Sequence, residues 1–217
     1  MTKTAILLGA TGLTGGKLLE LLIEDKSYSK VVLISRNSVN KTHAKIEEHL
    51  IDLLQLEENA DLVKGDVLFC CIGTTSSKTK NKDKYKAIDY GIPVTAAGIA
   101  KKNGVEVFMV ISAMGASESS RVFYNRIKGE MERDVLALGI PKTYILRPSL
   151  IGGARDEFRF GERVGKLFLE TFWFVIPAKY RVISPQTIAE AMIELSRKDE
   201  RSGVIASDRI VEIANND

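Results

Sequence analysis

A doubly wound α/β architecture, one parallel sheet covered by helices on both faces, is predicted by three features of this chain. An apolar run at 4–8 ends in a glycine-spaced turn, Gly9-Ala10-Thr11-Gly12-Leu13-Thr14-Gly15, which opens a helical pattern carrying Leu18, Leu19, Leu21 and Leu22. Short apolar runs rich in β-branched residues then alternate with helical stretches. The turns with unusual chemistry, at Gly9, Arg36, Gly73, Ser112 and Pro148, all follow such runs. They therefore fall at the carboxyl ends of strands, where ligands bind in sheets of this kind.

The elements follow in order. Residues 30–34 (Lys-Val-Val-Leu-Ile) read as a second buried strand and 44–51 as a weaker third, with a short acidic segment at 55–61. Residues 66–72 form a fourth, closed by Gly73-Thr74-Thr75. A polar loop carries Lys78, Lys80, Lys82, Lys84 and Lys86, whose alternation does not place them on one helix face. A long helix is expected over 84–103, bent near Gly91 and Pro93 and ended by Gly104. A fifth strand at 105–111 ends in Ser112. Ser119 is placed as the cap of a helix that runs through Leu138 and stops at Gly139. Residues 143–146 make a sixth strand, closed by Arg147-Pro148. From Ser149 the alternation loosens into helices near 161–171 and 185–197 and an aromatic group, Phe172-Trp173-Phe174. The chain is thus expected to be one domain over 1–217. Residues 1–148 are its nucleotide-binding core, and 149–217 a small C-terminal cap.

Composition narrows the function classes. The 217 residues suffice for one sizeable core, and 45% hydrophobic with 27% charged residues is ordinary for a globular protein. A net charge of +3 gives no footprint for nucleic acid. No apolar segment approaches the ~20 residues that span a bilayer, and Met1-Thr2-Lys3-Thr4 leads straight into the first strand, so no leader is expected. Two histidines, His43 and His49, and two adjacent cysteines, Cys70 and Cys71, make no metal-ligand cluster. Neighbouring strand residues point to opposite faces, which argues against a Cys70–Cys71 disulfide and for a reducing compartment, taken as the cytoplasm.

The glycine loop carries the first chemistry. Gly9 lets the backbone turn out of the strand, Gly12 lets a pyrophosphate approach the main chain, and Gly15 lets the helix pack closely. Free N–H groups and the positive dipole end of the helix then face the phosphates. Where a dinucleotide site preferring NAD has an acidic residue after the second strand, this chain has Ser35-Arg36. A guanidinium pairs bidentately with phosphate, so NADP (NADPH) is the expected cofactor; a solvated loop charge is the alternative.

Tyr124 and Lys128 stand four apart on a predicted helix, hence on one face, and Ser112 precedes them at a strand end beside the expected nicotinamide site. A carbonyl accepting hydride needs a proton. Tyr124 is the expected donor, its pKa lowered by the Lys128 ammonium, while Ser112 donates a hydrogen bond that polarises the carbonyl. Packing and solvation roles for the three side chains are the plain alternative.

These motifs together resemble the short-chain dehydrogenase/reductase superfamily. Phe69-Cys70-Cys71-Ile72-Gly73-Thr74-Thr75, Tyr124-Asn125-Arg126-Ile127-Lys128-Gly129-Glu130-Met131-Glu132, Leu146-Arg147-Pro148-Ser149-Leu150-Ile151 and Arg155-Asp156-Glu157-Phe158-Arg159-Phe160-Gly161-Glu162 resemble its atypical, Tat-interacting-protein-like branch. The resemblance implies a Rossmann-like fold and a phosphate loop of Gly9, Thr11, Gly12, Leu13 and Thr14. It implies NADP selection by Ser35 and Arg36, a ribose border at Gly73 and Thr74, and Pro148 flanking the nicotinamide. It also implies a Ser112, Tyr124, Lys128 catalytic trio, with Lys128 reaching the ribose hydroxyls. Asp89 stands where the superfamily commonly has a relay asparagine. The expected activity is an NADP-dependent oxidoreductase acting on a small carbonyl or alcohol. Two other classes remain open: an NADPH sensor that binds a protein partner with little turnover, and an isomerase-like enzyme that keeps its cofactor bound.

Overall fold

Successive side chains of the first strand enter different cores. Ala5 and Leu7 pack into one apolar cluster, Ile6 and Leu8 into another. A strand sends alternate residues to opposite faces, so continuous apolar runs mean a sheet buried on both sides. The computed structural model describes residues 2–74, 79–152, 177, 180–198 and 200–215. Its strands are β1 (Lys3–Leu8), β2 (Tyr28–Ser35), β3 (Ile46–Leu50), β4 (Val67–Cys70), β5 (Val107–Ile111), β6 (Lys142–Arg147) and β7 (Gly203–Ala206). They form one seven-stranded sheet in the order β3-β2-β1-β4-β5-β6-β7, parallel throughout. The order reverses between β1 and β4, which opens a crevice at their carboxyl ends. The doubly wound α/β prediction is correct.

Helices cover the two faces. On one lie α1 (Leu13–Glu24), α5 (Pro185–Arg197) and α6 (Ser207–Ala214). On the other lie a kinked 3-10 segment (Leu53–Leu62), α3 (Ile92–Lys102) and α4 (Phe123–Ala137). The helix expected over 84–103 is built from three parts: α2 (Lys82–Lys86), a π turn (Ala87–Gly91) and α3. Gly91 and Pro93 sit at the join, where a proline cannot complete the α-helical ladder.

Two expectations need correction. The helix placed after a Ser119 cap begins at Phe123, with Val122 at its N-cap position and no side-chain cap. The serines are engaged earlier: Ser117 and Ser119 hydroxyls pair at 3.0 Å, and Ser120 Oγ accepts from the Val122 amide at 3.2 Å. Such local side-chain bonds compete with helix initiation. The segment after Ser149, expected to be a cap, also supplies β7, which pairs with β6. Its helix α5 packs on α1, and Lys3 Nζ donates to the Ser196 carbonyl at 2.7 Å. The helix expected near 161–171, the aromatic group Phe172-Trp173-Phe174, the motif 155–162, Thr75 and Lys78 lie outside the described residues.

Cys70 belongs to the α3–α4 core, whereas Cys71 packs against the α1 side, so the adjacent thiols face apart and are free. At the β1–α1 turn, Gly9 has φ +87°, and a Cβ there would lie 2.7 Å from the Cys71 carbonyl oxygen. A Cβ on Gly15 would lie 2.1 Å from the Gly9 carbonyl oxygen.

Two glycine substitutions should therefore act in opposite directions. Gly15→Ala forces backbone apart, and overpacking of this kind costs about 1–3 kcal/mol. Gly98→Ala in α3 meets nothing within 4 Å and should stabilise by about 0.5–1 kcal/mol through helix propensity. Thermal denaturation checks both; a Gly15→Ala melting temperature equal to wild type contradicts the close approach.

Candidate functional site

The crevice is bordered by backbone that side chains would obstruct. Gly12 is the N-cap of α1 and brings no side-chain acceptor, so the first amides of a twelve-residue helix remain available to an anion. A cleft of about 570 Å³ runs from Gly12, Leu13 and Thr14 across Gly73 and Thr74 to Ser112, Tyr124, Lys128 and Pro148. A second of about 450 Å³ continues from the same Ile72-Gly73-Thr74 turn to Arg36, Asp52, Leu53 and Lys84. Their shared border makes an elongated groove across the β1/β4 switch point. That shape suits a dinucleotide, with phosphates over the glycine loop.

The predicted residues do not all play equal parts in this groove. Arg36 lines its outer end, and Gly12, Leu13, Thr14, Gly73, Thr74 and Pro148 line it further in. Gly9 and Gly15 shape the turn beneath, and Thr11 is exposed beside it. Ser35 is buried, and its hydroxyl donates to the Asn37 carbonyl at 2.8 Å, so it shapes the loop that carries Arg36. Asp52, Leu53 and Lys84 also line the groove. No spacing pattern marks Asp52 or Leu53, and Lys84 falls within the alternating lysine run.

Ser112, Tyr124 and Lys128 share the inner wall, placed there by the end of β5 and one face of α4. Lys128 is buried with its side chain 3% exposed, and its Nζ donates to the Ile111 carbonyl at 3.2 Å. The same Nζ lies 3.1 Å from Asp89 Oδ1, on a side chain 1% exposed. That oxygen makes no hydrogen bond, so its contact with the ammonium is one of charge. Asp89 Oδ2 accepts from the Thr74 amide at 2.9 Å. The ring of Tyr124 meets Tyr85 edge-on, centroids 6.1 Å apart, and the Tyr85 hydroxyl donates to the Thr74 carbonyl at 3.2 Å.

This arrangement corrects two chemical expectations. Tyr124 is held above the ordinary phenol range, not below it: desolvation in the cleft raises it, and Asp89 works against the lowering by Lys128. Ser112, expected to donate to a substrate carbonyl, donates instead to Glu132 Oε1. Glu132 is buried and clasped by Arg147, whose Nε lies 2.9 Å and 3.1 Å from its two carboxylate oxygens. The hydrogen bonds to Glu132 hold the Arg147 guanidinium above its usual range. Glu132 and Arg147 stood in the sequence as motif residues without a role. Their separation along the chain hid the pairing.

A protein-family model described as NAD(P)H-binding matches residues 9–145. The chain belongs to that family, within the atypical short-chain dehydrogenase/reductase superfamily. It is 36% identical over 158 residues to "Protein FMP52-1, mitochondrial" of Scheffersomyces stipitis, covering 70% of this chain and 69% of that protein. "Protein FMP52, mitochondrial" of Eremothecium gossypii is 31% identical, over 97% of this chain and 94% of its own length. Rat "Protein HTATIP2" is 33% identical over 76% of this chain and 70% of its own, as the Tat-interacting-protein-like resemblance implied. Among solved structures, MoeE5 in complex with UDP-glucose and NAD aligns with TM-score 0.70 at 17% identity. That alignment covers 97% of this chain and 80% of MoeE5, a likeness of fold.

The fungal names overturn the cytoplasmic expectation, since these relatives are called mitochondrial. Cysteine usage separates oxidising from reducing surroundings but carries no signal for which organelle. Among the described residues no helix is long and apolar enough to cross a membrane, and no cluster could hold a metal ion.

Removing Glu132 leaves Arg147 unpaired and Ser112 without its acceptor. Glu132→Ala should lower stability by about 3 kcal/mol, near the low end for breaking a buried pair because Arg147 is one-third exposed. Ser112→Ala, which leaves the ion pair intact, should cost only about 1.5 kcal/mol, the low end for a hydrogen bond to a charged group. Denaturant midpoints compare the two, and equal losses would show that the clasp contributes nothing.

Proposed function

We propose that this protein is an NADP-dependent oxidoreductase that interconverts a small carbonyl and its alcohol. The observation that carries the reading is the meeting of Tyr124, Lys128 and Ser112 on the wall of a groove whose other end holds Arg36. The glycine turn, whose tight approaches leave no room for a Cβ on Gly9 or Gly15, fits a pyrophosphate over the α1 amides. Arg36 would hold the 2′-phosphate, for which a guanidinium is suited and a carboxylate is not. Lys128 would offer an N–H to the ribose hydroxyls, since its ammonium has three donors and one is bonded to Ile111.

When bound, the nicotinamide supplies a hydride to the carbonyl carbon. Tyr124 gives its hydroxyl proton to the carbonyl oxygen, leaving alcohol and tyrosinate, and solvent returns the proton. Ser112, its own proton directed at Glu132, offers lone pairs that accept from the product hydroxyl. The reverse steps oxidise an alcohol. The names of the fungal relatives support a mitochondrial setting for this chemistry. A second reading, an NADPH sensor with a protein partner, draws on one observation: Ser112 is tied to Glu132 and Lys128 to Asp89, as in a site built to hold its ligand.

Two measurements separate these. Fluorescence titration should show tighter binding of NADPH than NADH, and Arg36→Ala should erase about tenfold or more of that preference. Equal affinities for the two cofactors in the wild-type protein would sink the NADP assignment. Against a panel of small aldehydes and ketones, NADPH consumption should fall about 100-fold or more in Tyr124→Phe. Failure of every carbonyl with tight NADPH binding retained would favour the sensor.

A further inference from the structure

Asp89 is the feature that the reductase reading leaves without work. Its carboxylate is buried under the Gly73–Thr74 turn, on a π turn, with one oxygen on the Thr74 amide and the other facing the Lys128 ammonium. A Cβ on Gly73 would lie 3.5 Å from Asp89 Oδ1 and 3.9 Å from Lys128 Nζ, so this turn lies directly over the ion pair. A buried pair contributes little net stability, because both ions give up hydration to form it. What it changes is the local field.

We propose that Asp89 is a positioning residue that fixes the Lys128 ammonium and offsets its charge, keeping Tyr124 as a proton-donating phenol suited to carbonyl reduction. The proposal rests on the reductase reading for its purpose, and on geometry for its electrostatics.

The surroundings of Tyr124 support it. Among the described residues, its own helix contributes Lys128, the π turn contributes Asp89, and α2 contributes the phenol of Tyr85. The segment after β4 contributes the Cys71 thiol, and Pro148, Ser149, Leu150 and Ile151 after β6 bring no charge to the cleft. One cation and one anion thus set the field at the hydroxyl, and they face each other at 3.1 Å. Desolvation and Asp89 both push Tyr124 upward, against Lys128. A tyrosine so held is a protonated acid at neutral pH, ready to give its proton as hydride arrives. Were Lys128 unopposed, more of the side chain would be tyrosinate, the form that takes a proton from an alcohol.

The test is a tyrosinate absorbance titration of the cofactor-free full chain, with Tyr124→Phe subtracted to isolate one phenol. Asp89→Asn keeps an oxygen for the Thr74 amide and removes the charge. It should raise the tyrosinate-to-phenol ratio of Tyr124 about tenfold at a given pH, the order of effect of one nearby charge in a partly solvated site. No change, or a change in the other direction, overturns the proposal. The double variant Asp89→Asn/Lys128→Gln removes both charges and covers the case in which the single variant does not fold. Lys128 acts on Tyr124 more strongly than Asp89 does, so the double variant should titrate above the wild type yet below Lys128→Gln, in which Asp89 stands unopposed. A double variant that titrates with Lys128→Gln overturns the role of Asp89. Because the titration needs neither cofactor nor substrate, failure is assignable. An inactive protein whose Tyr124 shifts as stated removes the reductase reading alone, and an active one whose Tyr124 does not shift removes Asp89 alone.

Discussion

The close approach of the β1–α1 turn to the end of β4 is the constraint on which the rest of the structure depends. Gly9 lies so near the Cys71 carbonyl that a Cβ would stand 2.7 Å from its oxygen, and Gly15 is nearer still to Gly9. Two atoms' absence lets β1 end, turn and begin a helix within a few residues. It also lets β4 leave its strand beside that turn. The crevice between them exists because the sheet reverses its winding there, with β2 on one side of β1 and β4 on the other. Arg36 at the end of β2 and the Ile72-Gly73-Thr74 turn after β4 then become two parts of one groove.

Polar groups on the inner wall are held by partners beneath it. Ser112 is fixed by Glu132, Glu132 by Arg147, and Lys128 by Asp89 and a carbonyl of β5. Glu132 and Asp89 are buried charges, tolerable there only because each is paired. The consequence is preorganisation: these side chains need not be gathered when a ligand arrives, so little ordering cost remains. The same pairing narrows the chemistry. A serine whose proton is committed accepts hydrogen bonds, and an ammonium facing a carboxylate projects less charge toward Tyr124.

Legibility in the sequence followed the range of the interactions. The glycine turn, the buried strands and the Tyr124–Lys128 face could be read because each is set by neighbours within a turn or two. The seventh strand could not: Gly203-Val204-Ile205-Ala206 is four residues at the sheet edge, and only Ile205 is buried. Nothing so short displays a period. The start of α4 was misplaced because Ser119 has the composition of a cap while its hydroxyl is paired with Ser117. The ion pairs were invisible for a different reason. Asp89 and Lys128 lie on a π turn and a separate helix, Glu132 and Arg147 on a helix and a strand, and only the packed fold brings them together.

The distinction matters most for Tyr124. On the helix alone, a lysine one turn away predicts an activated phenol, since a cation is the nearest charge. In the fold, desolvation outweighs that cation and Asp89 opposes it. Desolvation is the largest of these effects and Asp89 the smallest, so the carboxylate reinforces a direction that burial sets. Spacing therefore identifies which groups meet, whereas burial and the partners beneath the wall decide which protonation state they meet in. For a residue that must either give or take a proton, that second question sets the favoured direction of the chemistry.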